Sequence, residues 1–246
     1  MPRDLLIGPH AVREWLEADP GRIVEVLVAR GAHPRAHELA HRAEAQGIRV
    51  SLAPADELTR LAGPRNHQGL VAHVRPFAYQ PLDRLLEGAA SDALWLAVDG
   101  VTDPGNFGNL LRSGAYFGAT AVLQGRDKAC PISPVVERSA AGAAARLPIC
   151  LVDSLLQSLA ACREHGFRIV ATVLGAPTAP DAVDLRGRLV VVIGGEERGL
   201  RPAVRKAADA AVTIPGSRLQ SLNVAAFAAA MLYEVARQRR TLQSGP

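Results

Sequence analysis

Lysine is nearly absent from this chain. Of its 28 basic residues only Lys128 and Lys206 are lysines; all the others are arginines. Arginine suits phosphate and stacking contacts better than lysine does, although an arginine- and alanine-rich composition can equally reflect genomic base composition. Against 24 acidic residues the formal charge is +4. That modest excess only hints at a polyanionic partner. Cysteine is also scarce. Cys130, Cys150 and Cys162 lie far apart with no Cys-x-x-Cys pair, which argues against a zinc ribbon or a disulfide framework and for a reducing, cytoplasmic setting. No apolar run approaches the roughly 20 residues that cross a bilayer, so no membrane partner is expected. The opening "MPRDLLIGPHAVREW" shows neither an apolar signal core nor a small-residue cleavage site. Internal repeats and low-complexity blocks are missing too.

The 246 residues, 48% of them hydrophobic, suffice for one or two full cores. The first 76 residues read as a small α/β unit. "IVEVLVA" is a β-rich run, 37–46 a helix ending at Gly47, "IRVSLA" a second strand, "PADELTRLA" a short helix and "GLVAHV" a third strand. "RPFAYQPLDR", with two prolines and no clear periodicity, marks a linker, taken as 77–89. From residue 90 to 246 apolar strands ("ALWLAVDG", "ATAVLQG", "LPICLV", "FRIVATVL", "RLVVVIGG", "AAVTIP") are mostly separated by helical stretches. That order predicts a parallel sheet covered on both faces.

Ligands of open α/β sheets bind beyond the carboxyl ends of the strands, and three clusters fall there. "VDGVTDPGNFGNLLRSGAYFG" offers turn chemistry at Asp103–Asn106 and then a helix carrying Arg112; taken alone, Arg112 reads as a surface arginine. "VVVIGGEERGL" is a glycine turn after a buried strand. It fits neither the Gly-x-Gly-x-x-Gly dinucleotide pattern nor a P-loop, and by itself it reads as structural. "RLQSLNVAAF" precedes an alanine-rich segment, where Ser221 and Asn223 need be nothing more than a helix N-cap.

Together, in order and approximate spacing, the three clusters resemble the motifs of the SpoU/TrmH family of RNA ribose 2′-O-methyltransferases, in the SPOUT superfamily. "IGPHAVREWL" and "NHQGLVAHV" resemble that family's N-terminal substrate-binding domain, which itself resembles small ribosomal proteins. The pairing is most similar to bacterial enzymes that methylate a guanosine in 23S ribosomal RNA. The resemblance implies an α/β protein whose C-terminal SPOUT domain has a parallel sheet and a deep trefoil knot, an exception to the rule against threaded chains. It implies S-adenosylmethionine as cofactor, held near Thr172, Gly194, Gly195, Gly199, Ile214 and Leu222. It places catalysis at Asn106, Arg112, Glu196, Ser221 and Asn223, with Glu196 expected to hold the Arg112 guanidinium. Arg65, Asn66 and His67 are implied as RNA contacts, although a plain polar turn explains them equally well. Partners implied are 23S ribosomal RNA or a large-subunit assembly particle, and a second copy of the chain. For that homodimer the closing helix offers Phe227, Met231, Leu232 and Val235, a stripe that serves equally as internal core.

His33, His37 and His41 recur every four residues, but nothing completes a metal site around them, and Pro34 marks the helix start beyond His33. No metal is expected. Two other functions stay open: a 2′-O-methyltransferase for transfer RNA or another ribosomal position, including an antibiotic-resistance site, and a non-catalytic RNA-binding assembly factor.

Overall fold

The computed structural model describes residues 4–63, 66–216 and 221–240. Two compact units emerge: residues 1–78 with Pro131–Arg146, and 79–130 with 147–246.

The first unit opens with β1 (Asp4–Ile7) and α1 (Pro9–Ala18), then β2 (Ile23–Ala29), α2 (Pro34–Ala45), β3 (Arg49–Ala53), α3 (Ala55–Ala62) and β4 (Leu70–Val74). The strands form one sheet in the order β1-β4-β2-β3, in which only the β2–β3 pair is parallel. Alternation along β2 and β4 sorts side chains between the two faces. Val26, Val28, Leu70, Ala72 and Val74 pack with Trp15, Leu16 and Leu39 of α1 and α2. Leu27, Ala29 and Val71 pack with Leu58 and Ala62 of α3. His33 lies outside α2, its ring accepting from the Arg35 N–H.

In the second unit α4 (Leu82–Glu87) leads into β5 (Leu94–Asp99), α5 (Pro104–Tyr116) and β6 (Ala121–Gly125). The chain then supplies α6 (Pro134–Ala140) and α7 (Ala143–Arg146) to the first unit. There the buried Glu137 accepts from Trp15 Nε1 at 2.9 Å and from Arg22 Nη1 at 2.6 Å. The Arg22 guanidinium lies 4.0 Å from the centre of the Trp15 ring. Returning, the chain forms β7 (Ile149–Val152), α8 (Leu155–Glu164), β8 (Arg168–Thr172), β9 (Leu189–Gly194), α9 (Pro202–Lys206), β10 (Ala210–Val212) and α10 (Val224–Arg240).

These six strands make the expected parallel sheet, in the order β10-β8-β9-β5-β6-β7. The central strands β5, β6 and β9 are buried almost throughout, as strands covered on both faces must be. Met231, Leu232 and Val235 are fully buried and Phe227 half-buried. The stripe of the closing helix is therefore core, which decides between its two sequence readings. Because all strands run the same way, Asp99, Gly125, Thr172 and Gly194 share one edge of the sheet.

Candidate active site

Beyond β5 the chain turns through Gly100 into α5. Asp103 caps α5, its Oδ1 accepting from Asn106 N at 2.7 Å, and this holds Asn106 in the first helical turn. At the end of β9 the backbone doubles back. Gly195 N donates to Asp99 O, and Gly199 N to Gly195 O, both at 2.9 Å. Glycine is obligatory where these segments meet. A Cβ on Gly194 would stand 2.5 Å from the Gly199 carbonyl carbon, and one on Gly195 would run into the Gly100 carbonyl oxygen. The turn so folded projects Glu196 towards α5.

Three side chains from three sequence clusters then join. Asn223 Oδ1 accepts from Ala225 N at 2.9 Å and Ala226 N at 3.3 Å, capping α10. Its Nδ2 donates to Asn106 Oδ1 at 2.9 Å, and Asn106 Nδ2 donates to Glu196 Oε1 at 2.6 Å. The cap fixes which way the Asn223 amide faces, and that in turn fixes Asn106. The relay of donors ends on a carboxylate, where a charge-assisted bond is strongest. Asn223 thus starts the closing helix and also serves the site.

Arg112 is placed differently from the sequence expectation. Glu196 is engaged by Asn106, while Arg112 is exposed on α5 and makes no hydrogen bond or ion pair among the described residues. Ser221 and Leu222 are exposed beside Asn223, and Ile214 is half-buried past β10. Thr172 spends its hydroxyl on the sheet, donating to Val192 O at 2.9 Å. Gly199 has φ +61° with open space where a Cβ would point, so main chain stays uncovered there. The field of the site reaches the buried Cys130 thiol. Burial first, then the charges of Asp103 and Glu196, push it up to about 11.

In the first unit Asn66 Oδ1 accepts from Gln68 N at 3.1 Å. His67 Nδ1 accepts from Gly69 N at 3.0 Å, and its Nε2 lies 3.2 Å from Thr59 Oγ1. Both ring nitrogens of His67 are engaged in building the loop. Arg65 lies outside the described residues, as does 217–220 of the third motif. Among the described residues no group of His, Cys, Asp and Glu could hold a metal ion, and no helix is long and apolar enough to cross a membrane.

Sequence reasoning overlooked Asp99 and Arg201. Asp99 ends β5 with its side chain only 4% exposed, and Arg201 Nε meets its Oδ1 at 2.7 Å. The available signal was a carboxylate closing an otherwise apolar strand, "ALWLAVD".

The SpoU rRNA Methylase family matches residues 93–233, and the RNA 2′-O ribose methyltransferase substrate-binding domain matches residues 5–80. The 23S rRNA (guanosine-2′-O-)-methyltransferase RlmB of Acinetobacter baylyi is 38% identical over 239 residues, covering 94% of this chain and 96% of that protein. RlmB of Nitrosomonas europaea is 38% identical over 236 residues, covering 95% and 91%. Among solved structures, the SpoU methyltransferase AviRb of Streptomyces viridochromogenes, in complex with the cofactor AdoMet, matches with a TM-score of 0.82. It is 28% identical, and the match covers 98% of this chain and 91% of that one. The chain, with its hydrogen-bond relay at the end of a parallel sheet, belongs to the SpoU rRNA methylase family.

Proposed function

We propose that this protein transfers a methyl group from S-adenosylmethionine to the ribose 2′-hydroxyl of a guanosine in 23S ribosomal RNA. The Asn223–Asn106–Glu196 relay carries the reading. It joins all three motif clusters, whereas a helix cap and a structural turn alone require no such connection.

The residues present fit the cofactor. Uncovered main chain at Gly199 and the close-folded turn at Gly194 and Gly195 suit backbone recognition of an adenine, and Glu196 adds an anionic group beside a cationic ligand. Thr172, Ile214 and Leu222 complete that part of the reading, within the trefoil knot that the family implies. When bound, the cofactor supplies an activated methyl. The protein then has to align the acceptor oxygen and help it shed a proton.

Arginine holds its proton too tightly to act as the base. Arg112, without a partner among the described residues, grips a phosphate next to the target and stabilises charge developing on the ribose oxygen. Glu196 is held through Oε1 by Asn106; Ser221 orients the ribose, and the proton leaves to phosphate or water. The first 76 residues capture RNA, with the exposed Asn66 and with Arg65 as contacts, while His67 shapes the loop. Sequence-specific recognition of this kind needs an unpaired loop that can be splayed into the site.

A homodimer is part of the proposal, through the exposed aromatic face of α5 and α10. Tyr116 is 82% and Tyr233 52% exposed, and Phe117 sits edge-on to both at 5.0 and 6.4 Å. Large exposed aromatics of this kind mark interfaces. Cys130, Cys150 and Cys162 are all buried thiols, in keeping with a cytoplasmic setting.

The test is incubation with S-adenosylmethionine and unmodified 23S transcript, followed by nucleoside mass spectrometry, with transfer RNA, a large-subunit precursor particle and the Asn106→Ala variant alongside. New 2′-O-methylguanosine in 23S RNA, free or in the particle, and absent with the variant, supports the reading. Methylation of transfer RNA keeps the chemistry and replaces the substrate. Absence of both cofactor binding and methylation would leave the assembly-factor function in its place.

A further inference from the structure

We propose that Asp99 is a positioning residue for this site, acting through Arg201 on the turn that carries Glu196. The role in catalysis rests on the function proposed above; the effect on the turn does not.

Asp99 touches the turn at both of its ends. Its carbonyl oxygen accepts from Gly195 N at 2.9 Å, where the turn begins. Its carboxylate receives Arg201 where the turn closes, Oδ2 accepting from Arg201 N at 2.9 Å and Oδ1 forming an ion pair with Arg201 Nε at 2.7 Å. One residue of β5 therefore fixes both ends of 195–201, and Glu196 lies between them. The carboxylate is buried, whereas the Arg201 side chain is 47% exposed and has Asp127 as a second, looser neighbour at 3.9 Å.

A buried carboxylate at the sheet's functional edge requires a partner. Arg201 supplies one with main chain and side chain together, which sets the backbone as well as the charge. Glu196 then arrives at 2.6 Å from Asn106 Nδ2 because the loop has little freedom to place it elsewhere. Displacement of such a group by about 1 Å can cost on the order of 100-fold in rate.

Two variants test this. Asp99→Asn keeps the size but turns an amide N–H₂ on one of the two Arg201 donors. Arg201→Gln, at a half-exposed position, keeps the main-chain donor and removes the guanidinium charge. Amide hydrogen exchange at Gly199, whose N–H closes the turn onto Gly195, is read by NMR without cofactor or RNA, beside kcat and KM. Faster exchange at Gly199 in both variants is expected, with kcat down about 10- to 100-fold and KM for RNA little changed. In a double-mutant cycle, Asp99→Asn added to Glu196→Gln should lower kcat little further, because both act through one group. Unchanged Gly199 exchange in both variants, or full additivity in the cycle, overturns the proposal. A wild-type protein that transfers no methyl refutes the functional reading instead, and the exchange measurement then decides alone whether Asp99 sets the turn.

Discussion

Asn223 donates through Nδ2 to Asn106 Oδ1 at 2.9 Å while its own Oδ1 caps α10. The two tasks use opposite ends of one amide, so substitution can separate them. Asn223→Ser keeps a capping oxygen and loses the donor to Asn106. Its thermal stability should stay close to wild type while methyl transfer falls at least tenfold. Asn223→Ala loses both and should also lose about 1 kcal/mol of stability. Paired melting and activity measurements check this; equal activity of Asn223→Ser and wild type would detach Asn223 from the site.

Asn106→Asp reverses the polarity of the relay's middle link. A second carboxylate would face Glu196 Oε1, now 2.6 Å from Asn106 Nδ2. Like charges at such range repel and one must bind a proton. Turnover should fall by about 100-fold or more and recover partly at acidic pH, where Asn106→Ala would not recover. The pH–rate profiles of the two variants give the answer.

Gly195→Ala should be much worse than Gly199→Ala. The first places a methyl group against the Gly100 carbonyl, whereas the second meets open space and only the strain of φ +61°. Overpacking costs about 1–3 kcal/mol and left-handed strain about 1–2 kcal/mol. Isothermal titration should show S-adenosylmethionine affinity lost with Gly195→Ala.

Glu137→Ala tests the first unit. It leaves the buried Arg22 guanidinium and the Trp15 N–H without their carboxylate. Breaking a buried pair in this way costs about 3–5 kcal/mol, whereas replacing Arg22 and Glu137 together by apolar residues should cost far less. Urea denaturation of the two variants compares them.

Alkaline pH should destabilise the protein through its thiols. Burial, foremost, raises Cys130 and Cys150 from 9.0 to about 11 and Cys162 to about 12. Neutral thiols are thus favoured by the folded state. Their contribution is complete below pH 9 and is lost as pH rises through 9 towards 11–12. Melting temperature should drop over that window, and less steeply in Cys162→Ala after allowance for its lower starting value.

Much of this was legible in the sequence because parallel strands buried on both faces leave unbroken apolar runs. "LVVVIG" reads as such a strand, and the glycine turn that follows it at Gly194 and Gly195 was visible as a turn. Pairings were less legible. Glu196 and Arg112 are an obvious ion pair on charge alone, yet the turn delivers Glu196 to Asn106. That outcome depends on Asp99, a contact across about a hundred residues that no local pattern encodes. The engagement of His67 with Thr59 likewise depends on how α3 sits beside the loop.

Glu14, on α1, is held by the segment that returns to the first unit as α6 and α7. Arg146 reaches its Oε2 at 2.9 Å, and a Cβ on Gly142 would collide with its side chain. With Glu137 holding Trp15 and Arg22, two of the fastenings on α1 come from sequence more than a hundred residues downstream. The amino-terminal unit is therefore not a detachable cassette. A fragment cut at residue 78 would carry Trp15 and Arg22 without their partner, and a chimera that exchanges only the first 78 residues inherits a mismatched seam. Transplanting this unit into a relative requires moving 131–146 as well.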